Sequence, residues 1–158
     1  MFNAEARKDY ARSNETAKID VNLTPAIVAS AGRIRLALAA RDPALVMAAA
    51  LTFIGALCDE AEIPRIPVKI APRRKKAGRS EYDGCCGPKG ITIHLRTAER
   101  GRFIAFRTLL KTVCHEFAHH YDWKSLGLSN SFHTRGFQQR VNALYRGILD
   151  ALEKPKGA

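Results

Sequence analysis

Between residues 24 and 60 the apolar side chains recur at helical spacing. Ile27, Val28, Ile34 and Leu38 share one stripe, which predicts an amphipathic helix to about Ala40. Thr24-Pro25 opens it, because Thr supplies an N-cap oxygen and Pro suits the first helical position. Asp42-Pro43 repeats the signal, and the Ala- and Leu-rich residues 44–59 predict a second, more buried helix. Pro64 and Pro67 end that pattern. Residues 68–70 and 80–86 then read as short strands. Ile91-Thr92-Ile93-His94-Leu95 alternates apolar and polar positions, the strongest strand signal in the chain. Gly87-Pro88-Lys89-Gly90 supplies turn residues between the last two, so 80–95 predicts a hairpin. A long helix over 102–124 follows, with Leu110, Val113, Phe117 and Tyr121 on its core face. After a loop at 126–131, a last helix over 134–152 carries the stripe Phe137, Val141, Leu144 and Ile148. Residues 1–22 hold few apolar side chains and are expected to be flexible or weakly helical. The order of N-terminal helices, a small antiparallel or mixed sheet and two further helices predicts an α+β domain over 23–158.

Composition narrows the picture. The chain has 158 residues, 46% of them apolar, enough for one domain with its own core. No apolar run reaches the ~20 residues that span a bilayer, since Thr52 and Gly55 interrupt 44–57, the longest. The polar start has no secretory h-region, so a cytoplasmic protein with no membrane partner is expected. The four cysteines, Cys58, Cys85, Cys86 and Cys114, form no CxxC pair. They are expected to be thiols, and their spacing excludes a Cys-rich zinc site. The net charge is +11, which suits a polyanionic partner or a solvated surface. Arg73, Arg74, Lys75 and Lys76 form the densest basic group. Arg96, Arg100, Arg102, Arg107 and Lys111 surround the start of the long helix. Such residues are expected to touch DNA phosphates without reading bases, or simply to solvate a loop.

His115-Glu116-Phe117-Ala118-His119 carries the chemistry. On a helix, positions i and i+4 lie on one face, so both imidazoles reach one ion. Glu116 is rotated off that face and is expected to serve as catalytic base rather than ligand. Zinc lowers the pKa of bound water to about 7, within reach of a neighbouring carboxylate. A catalytic zinc needs a third protein ligand. The metzincin spacing is absent, because Asp122 and Ser125 stand where Gly and a ligand are required. Glu153 lies at the far end of the chain. Asp122 is one turn from His119, but its short side chain points along the helix axis. His133, at the start of the last helix, is the better third ligand, and Phe137 one turn on can pin that helix against the zinc helix. His133→Ala is thus expected to weaken zinc binding by orders of magnitude and Asp122→Ala to change it little.

The stretch HEFAHHYDWKSLGLSNSFHTRGF resembles the active-site segment of SprT-like zinc metalloproteases. The pattern is HExxH, an aromatic two residues on, a variable loop, then His with Phe four residues later. Here these are His115, Glu116, His119, Tyr121, His133 and Phe137. The likeness covers about residues 64–150. Thr134 departs from the usual Gly, the zinc ribbon of some members is missing, and residues 1–60 show no match. The resemblance implies a zincin-like minimal metalloprotease domain and a Zn2+-dependent endopeptidase acting on protein or peptide substrates, including proteins crosslinked to DNA. It also implies that the strand before the zinc helix borders the cleft, near His94, and pairs with an extended peptide. The alternatives are a regulatory peptidase that cuts one dedicated partner, such as a repressor, and a non-catalytic nucleic-acid-binding module with structural zinc. Tyr121 is a candidate oxyanion donor or core residue. His120 is a candidate outer-shell group or a core-edge histidine.

Overall fold

The structure is a computed structural model that describes residues 2–71, 76–77, 80–81, 84–87, 89–95 and 103–154. Among the described residues, five helices, a small three-stranded mixed sheet and a two-stranded ladder make an α+β fold. Helix α1 spans Ala4–Ser13, α2 Pro25–Ala39 and α3 Pro43–Glu60. Strands β1 (Val68–Ala71), β2 (Lys76–Ala77), β3 (Ser80–Glu81), β4 (Gly84–Gly87) and β5 (Gly90–His94) follow, then α4 (Phe106–Lys124) and α5 (Arg135–Glu153). Of the helices described, α1, α2, α3 and α5 start behind a capping side chain, and α4, behind Ala105, does not. The Thr24 side chain accepts from the Ile27 amide, Asp42 accepts from Ala44 and Leu45, and Thr134 accepts from Phe137.

The expected hairpin is present but shorter, because Ser80–Glu81 pairs with β2 instead. In the main sheet β5 lies in the middle, parallel to β1 and antiparallel to β4. Strand β5, which precedes α4, therefore has both edges occupied and no free edge for a peptide; β4 is an outer strand, and α4 packs against it. Gly90 sits at φ 134, and a Cβ there would run into the Pro67 carbonyl. Only glycine lets Ile91 donate to that carbonyl at 2.8 Å. Helix α4 begins at Phe106 rather than near 102, since the Ile104 amide still bonds the Leu95 carbonyl at 2.8 Å and keeps the backbone extended through Ala105.

One core joins the layers. Ile27, Ala31 and Ile34 of α2 meet Val46, Phe53, Ile54 and Leu57 of α3, Ile91 and Ile93 of β5, Leu109, Val113 and Phe117 of α4, and Phe137, Val141 and Ile148 of α5. Burying each large aliphatic or aromatic side chain contributes roughly 1.5–3 kcal/mol. This core fixes the crossing of α4 and α5, and with it the place where their polar faces meet. By length and composition α3 could cross a membrane. One of its faces is in this core, while Leu45, Met47 and Leu51 face outward.

The expectation of a flexible or weakly helical N-terminus meets a docked helix. Asn3 caps α1 by accepting from the Ala6 amide at 2.8 Å, and Ala6, Asp9 and Ser13 are buried. The segment is too poor in apolar residues for a core of its own. It is ordered by polar contacts to distant residues, which composition does not reveal.

Candidate metal centre

Helix α4 places His115 and His119 one turn apart on the same face, with ring centroids 5.0 Å apart. The third ring comes from the loop before α5. His133 Nε2 lies 3.2 Å from His115 Nε2 and 3.0 Å from His119 Nε2. Phe137, wholly buried, sits against all three rings with centroids 5.0, 4.6 and 5.3 Å away. It is the apolar floor that keeps them facing one point, as its position four residues after His133 predicts.

The donor set fits a metal ion. The three histidines are the one group of metal-ligating side chains found among the described residues. Nitrogens at about 2.0–2.1 Å from a tetrahedral zinc stand about 3.3 Å from one another, close to the spacings seen. Protonation agrees. Burial first, then the His133 ring and Lys111, pushes His115 down to about 4. Burial, then the two neighbouring rings, pushes His119 down to about 3. Both imidazoles are neutral at pH 7, the form that ligates.

The hydrogen bonds also assign the tautomer of His119. Asp122 and Arg140 are both wholly buried, with the guanidinium 3.0 Å from the carboxylate. Burial pushes the Asp122 carboxyl up, while Ser131 and Arg140 oppose that shift. A buried guanidinium requires a countercharge, so the carboxylate is ionised and can only accept. Ser131 Oγ donates its one proton to Asp122 Oδ2 at 2.8 Å. Its contact with His119 Nδ1 at 2.7 Å must then be accepted from an Nδ1–H. His119 Nε2 therefore bears a bare lone pair aimed at the convergence point, which is the arrangement outer-shell partners impose on a metal-binding histidine.

Glu116 is 5% exposed and follows His115 directly. Burial pushes its carboxyl up to about 8, in the range where a side chain exchanges protons near neutral pH. A cation at the three nitrogens would draw it down again.

Other expected site residues lie elsewhere. The Tyr121 hydroxyl accepts from the Asp20 amide at 3.1 Å, about 200° round the helix from His119, so it is a core residue holding the N-terminal segment and no oxyanion donor. His120 is buried and its Nε2 meets the Pro64 carbonyl at 2.6 Å, tying α4 to the connection before β1. Trp123 stacks on His119 at 6.1 Å. His94 is buried at the end of β5. Cys58 and Cys114 are free thiols, and burial raises the first to about 11 and the last still higher. Of the basic residues, Arg73, Arg74, Lys75, Arg96, Arg100 and Arg102 lie outside the described residues, and Lys76 opens β2. Arg107 pairs with Glu153 at 2.6 Å and Lys111 lies over Tyr145, so these two face α5.

Sequence reasoning missed Ser131, and it weighed Asp122 only as a ligand. Asp122 is linked through Ser131 to His119, a supporting contact that a reading of Asp122 as a ligand does not include. The readable signal was Arg140, a lone cation on the buried stripe of α5, which demands a buried anion. No family model, curated protein or solved structure matches the chain.

Proposed function

We propose that the chain is a zinc-dependent endopeptidase with a zincin-like fold, of the type its HExxH…H segment resembles. The observation that supports this best is the meeting of three imidazole nitrogens beside a buried carboxylate that is not one of the ligands. When bound, zinc would supply a Lewis acid to water and to the scissile carbonyl. His115, His119 and His133 hold it, and Ser131 with Asp122 fixes the tautomer of His119. Glu116 takes a proton from water and passes it to the leaving amine. Phe137 and Trp123 exclude solvent from the far side of the rings. An extended peptide finds a strand edge at β4 rather than β5. A purely structural zinc calls for a fourth protein ligand, and none stands beside the three histidines among the described residues.

The net charge of +11 suits a substrate held on nucleic acid, so the substrate class we propose is DNA-associated protein. The test is incubation with a DNA-binding protein substrate, with and without DNA and with and without chelator. Cleavage that chelator abolishes and DNA accelerates supports both parts. Cleavage indifferent to DNA moves the reading to a peptidase with a dedicated protein partner. Absence of cleavage in every arm, with zinc bound, favours the non-catalytic module.

A further inference from the structure

His133 is the least supported of the three rings. It is exposed, and its ring nitrogen contacts are to His115 and His119 alone. Its position is set by the backbone on either side, and the N-terminal segment grips that backbone residue by residue. Before His133, Phe132 stacks on Phe2 with centroids 4.8 Å apart and lies 6.2 Å from Tyr10. After it, buried Thr134 meets Ser13, Oγ to Oγ1, at 2.7 Å. Further back, Asp9 Oδ2 accepts from both the amide and the side chain of Asn130, at 2.9 and 3.0 Å. Ser129 donates to Glu5 at 2.8 Å, and Arg12 donates to the Leu126 carbonyl at 2.7 Å. Asn14 Oδ1 accepts from the Gly136 amide at 2.8 Å.

Two more observations indicate a built contact. Gly136 lies in the first turn of α5, where a Cβ would collide with the Ser13 carbonyl, so the helix has no side chain where the segment crosses it. Arg140 donates to the Ser13 and Thr16 carbonyls at 2.6 and 2.7 Å and to Ser13 Oγ at 3.0 Å, while also holding Asp122. The same segment thus reaches His133 through its loop and His119 through Arg140, Asp122 and Ser131.

We propose that residues 2–16 are a strap that positions the third metal ligand, with Asp9 and Ser13 as its positioning residues, so that docking of the strap and metal binding are coupled. The inference rests on the three-histidine metal site described above. Coupling is reciprocal: whatever affinity the docked strap gives the metal, the metal gives back as strap docking.

The experiment is a zinc titration of the full chain and of Asp9→Ala, Ser13→Ala and Phe2→Ala, with amide exchange over residues 3–16 measured with and without zinc. Loss of an outer-shell partner typically weakens metal affinity about 10–100-fold, and Asp9→Ala and Ser13→Ala should fall in that range. Phe2→Ala, at the exposed end, should lose less while remaining folded. Asp9→Asn keeps one acceptor oxygen and should recover part of the loss. In the wild type, zinc should slow exchange in the strap. A strap whose exchange ignores zinc, or variants that undock it yet bind zinc within about 2-fold of wild type, would overturn the coupling. If Ser13→Ala fails to fold, Phe2→Ala and the exchange measurement still decide. A wild-type chain that takes up no zinc removes the metal site itself, which separates that failure from failure of the strap alone.

Discussion

His119 and His133 meet at 3.0 Å, but the chain brings them there by different routes. His119 is placed by its own helix, four residues from His115. Its ring is then fixed by Ser131, Asp122 and Arg140 and packed by Trp123. His133 is placed by a loop whose own supports lie more than 120 residues earlier in sequence, at Asp9 and Ser13. One histidine has a directly held ring; the other has a held backbone and an exposed ring. The difference teaches where the site is robust and where it can be perturbed. Removing either ligand should be equally damaging, whereas removing supports should not be.

The largest effects should come from the ligands themselves. His119→Ala and His133→Ala should each weaken zinc binding by orders of magnitude, measured by competition with a chelator of known affinity. Unequal losses, with His133→Ala binding nearly as well as wild type, would give the third ligand to another residue. Next comes the support of His119. Asp122→Ala leaves Arg140 as an uncompensated buried cation and should cost about 3–5 kcal/mol of folding stability by denaturant unfolding. A loss under about 1 kcal/mol would mean the pair is not buried as described. Ser131→Ala tests the orienting hydroxyl without stranding a charge. It should weaken zinc affinity about 10–100-fold with little change in stability.

A separate effect falls on the pH dependence of the metal-free protein. Burial holds Glu116 at about 8 against an ordinary 4.5, so between those values the folded state keeps a proton that the unfolded state has lost. Stability from this group is present below 4.5 and is lost as pH rises through 8. His115 and His119 act oppositely: lowered from 6.5 to about 4 and 3, they cost stability as pH falls below 6.5. Comparing wild type with Glu116→Gln cancels the histidines. The variant should gain on wild type between pH 5 and 8, read from unfolding midpoints, and parallel curves would show Glu116 to be ordinary.

What could be read in advance follows the same division. The HExxH helix, the two Pro-led helix starts and the apolar stripe of α5 are local patterns, and local patterns survive in a single sequence. His133 was readable because Phe137 follows it at one helical turn. The strap was not, since Asp9, Ser13 and Asn14 look like the residues of any polar terminus until their partners are known. The ends of α2 and α3, at Ala39 and Glu60, fall within one residue of the expected ones, although the left-handed residues after them are Arg41 and Glu62, at φ 55 and 57, where glycine is the usual signal. Arg140 stands among the apolar residues of the α5 stripe, between Phe137 and Val141, and such a charge calls for a buried anion outside its own helix.

The central claim is that this site uses its metal for hydrolysis, and zinc-loaded Glu116→Gln tests it most directly. With one zinc per chain verified, the variant should hydrolyse peptide substrate at least about 10²-fold more slowly than wild type, the usual cost of removing a general base. A zinc-loaded variant that cleaves at the wild-type rate would contradict the account.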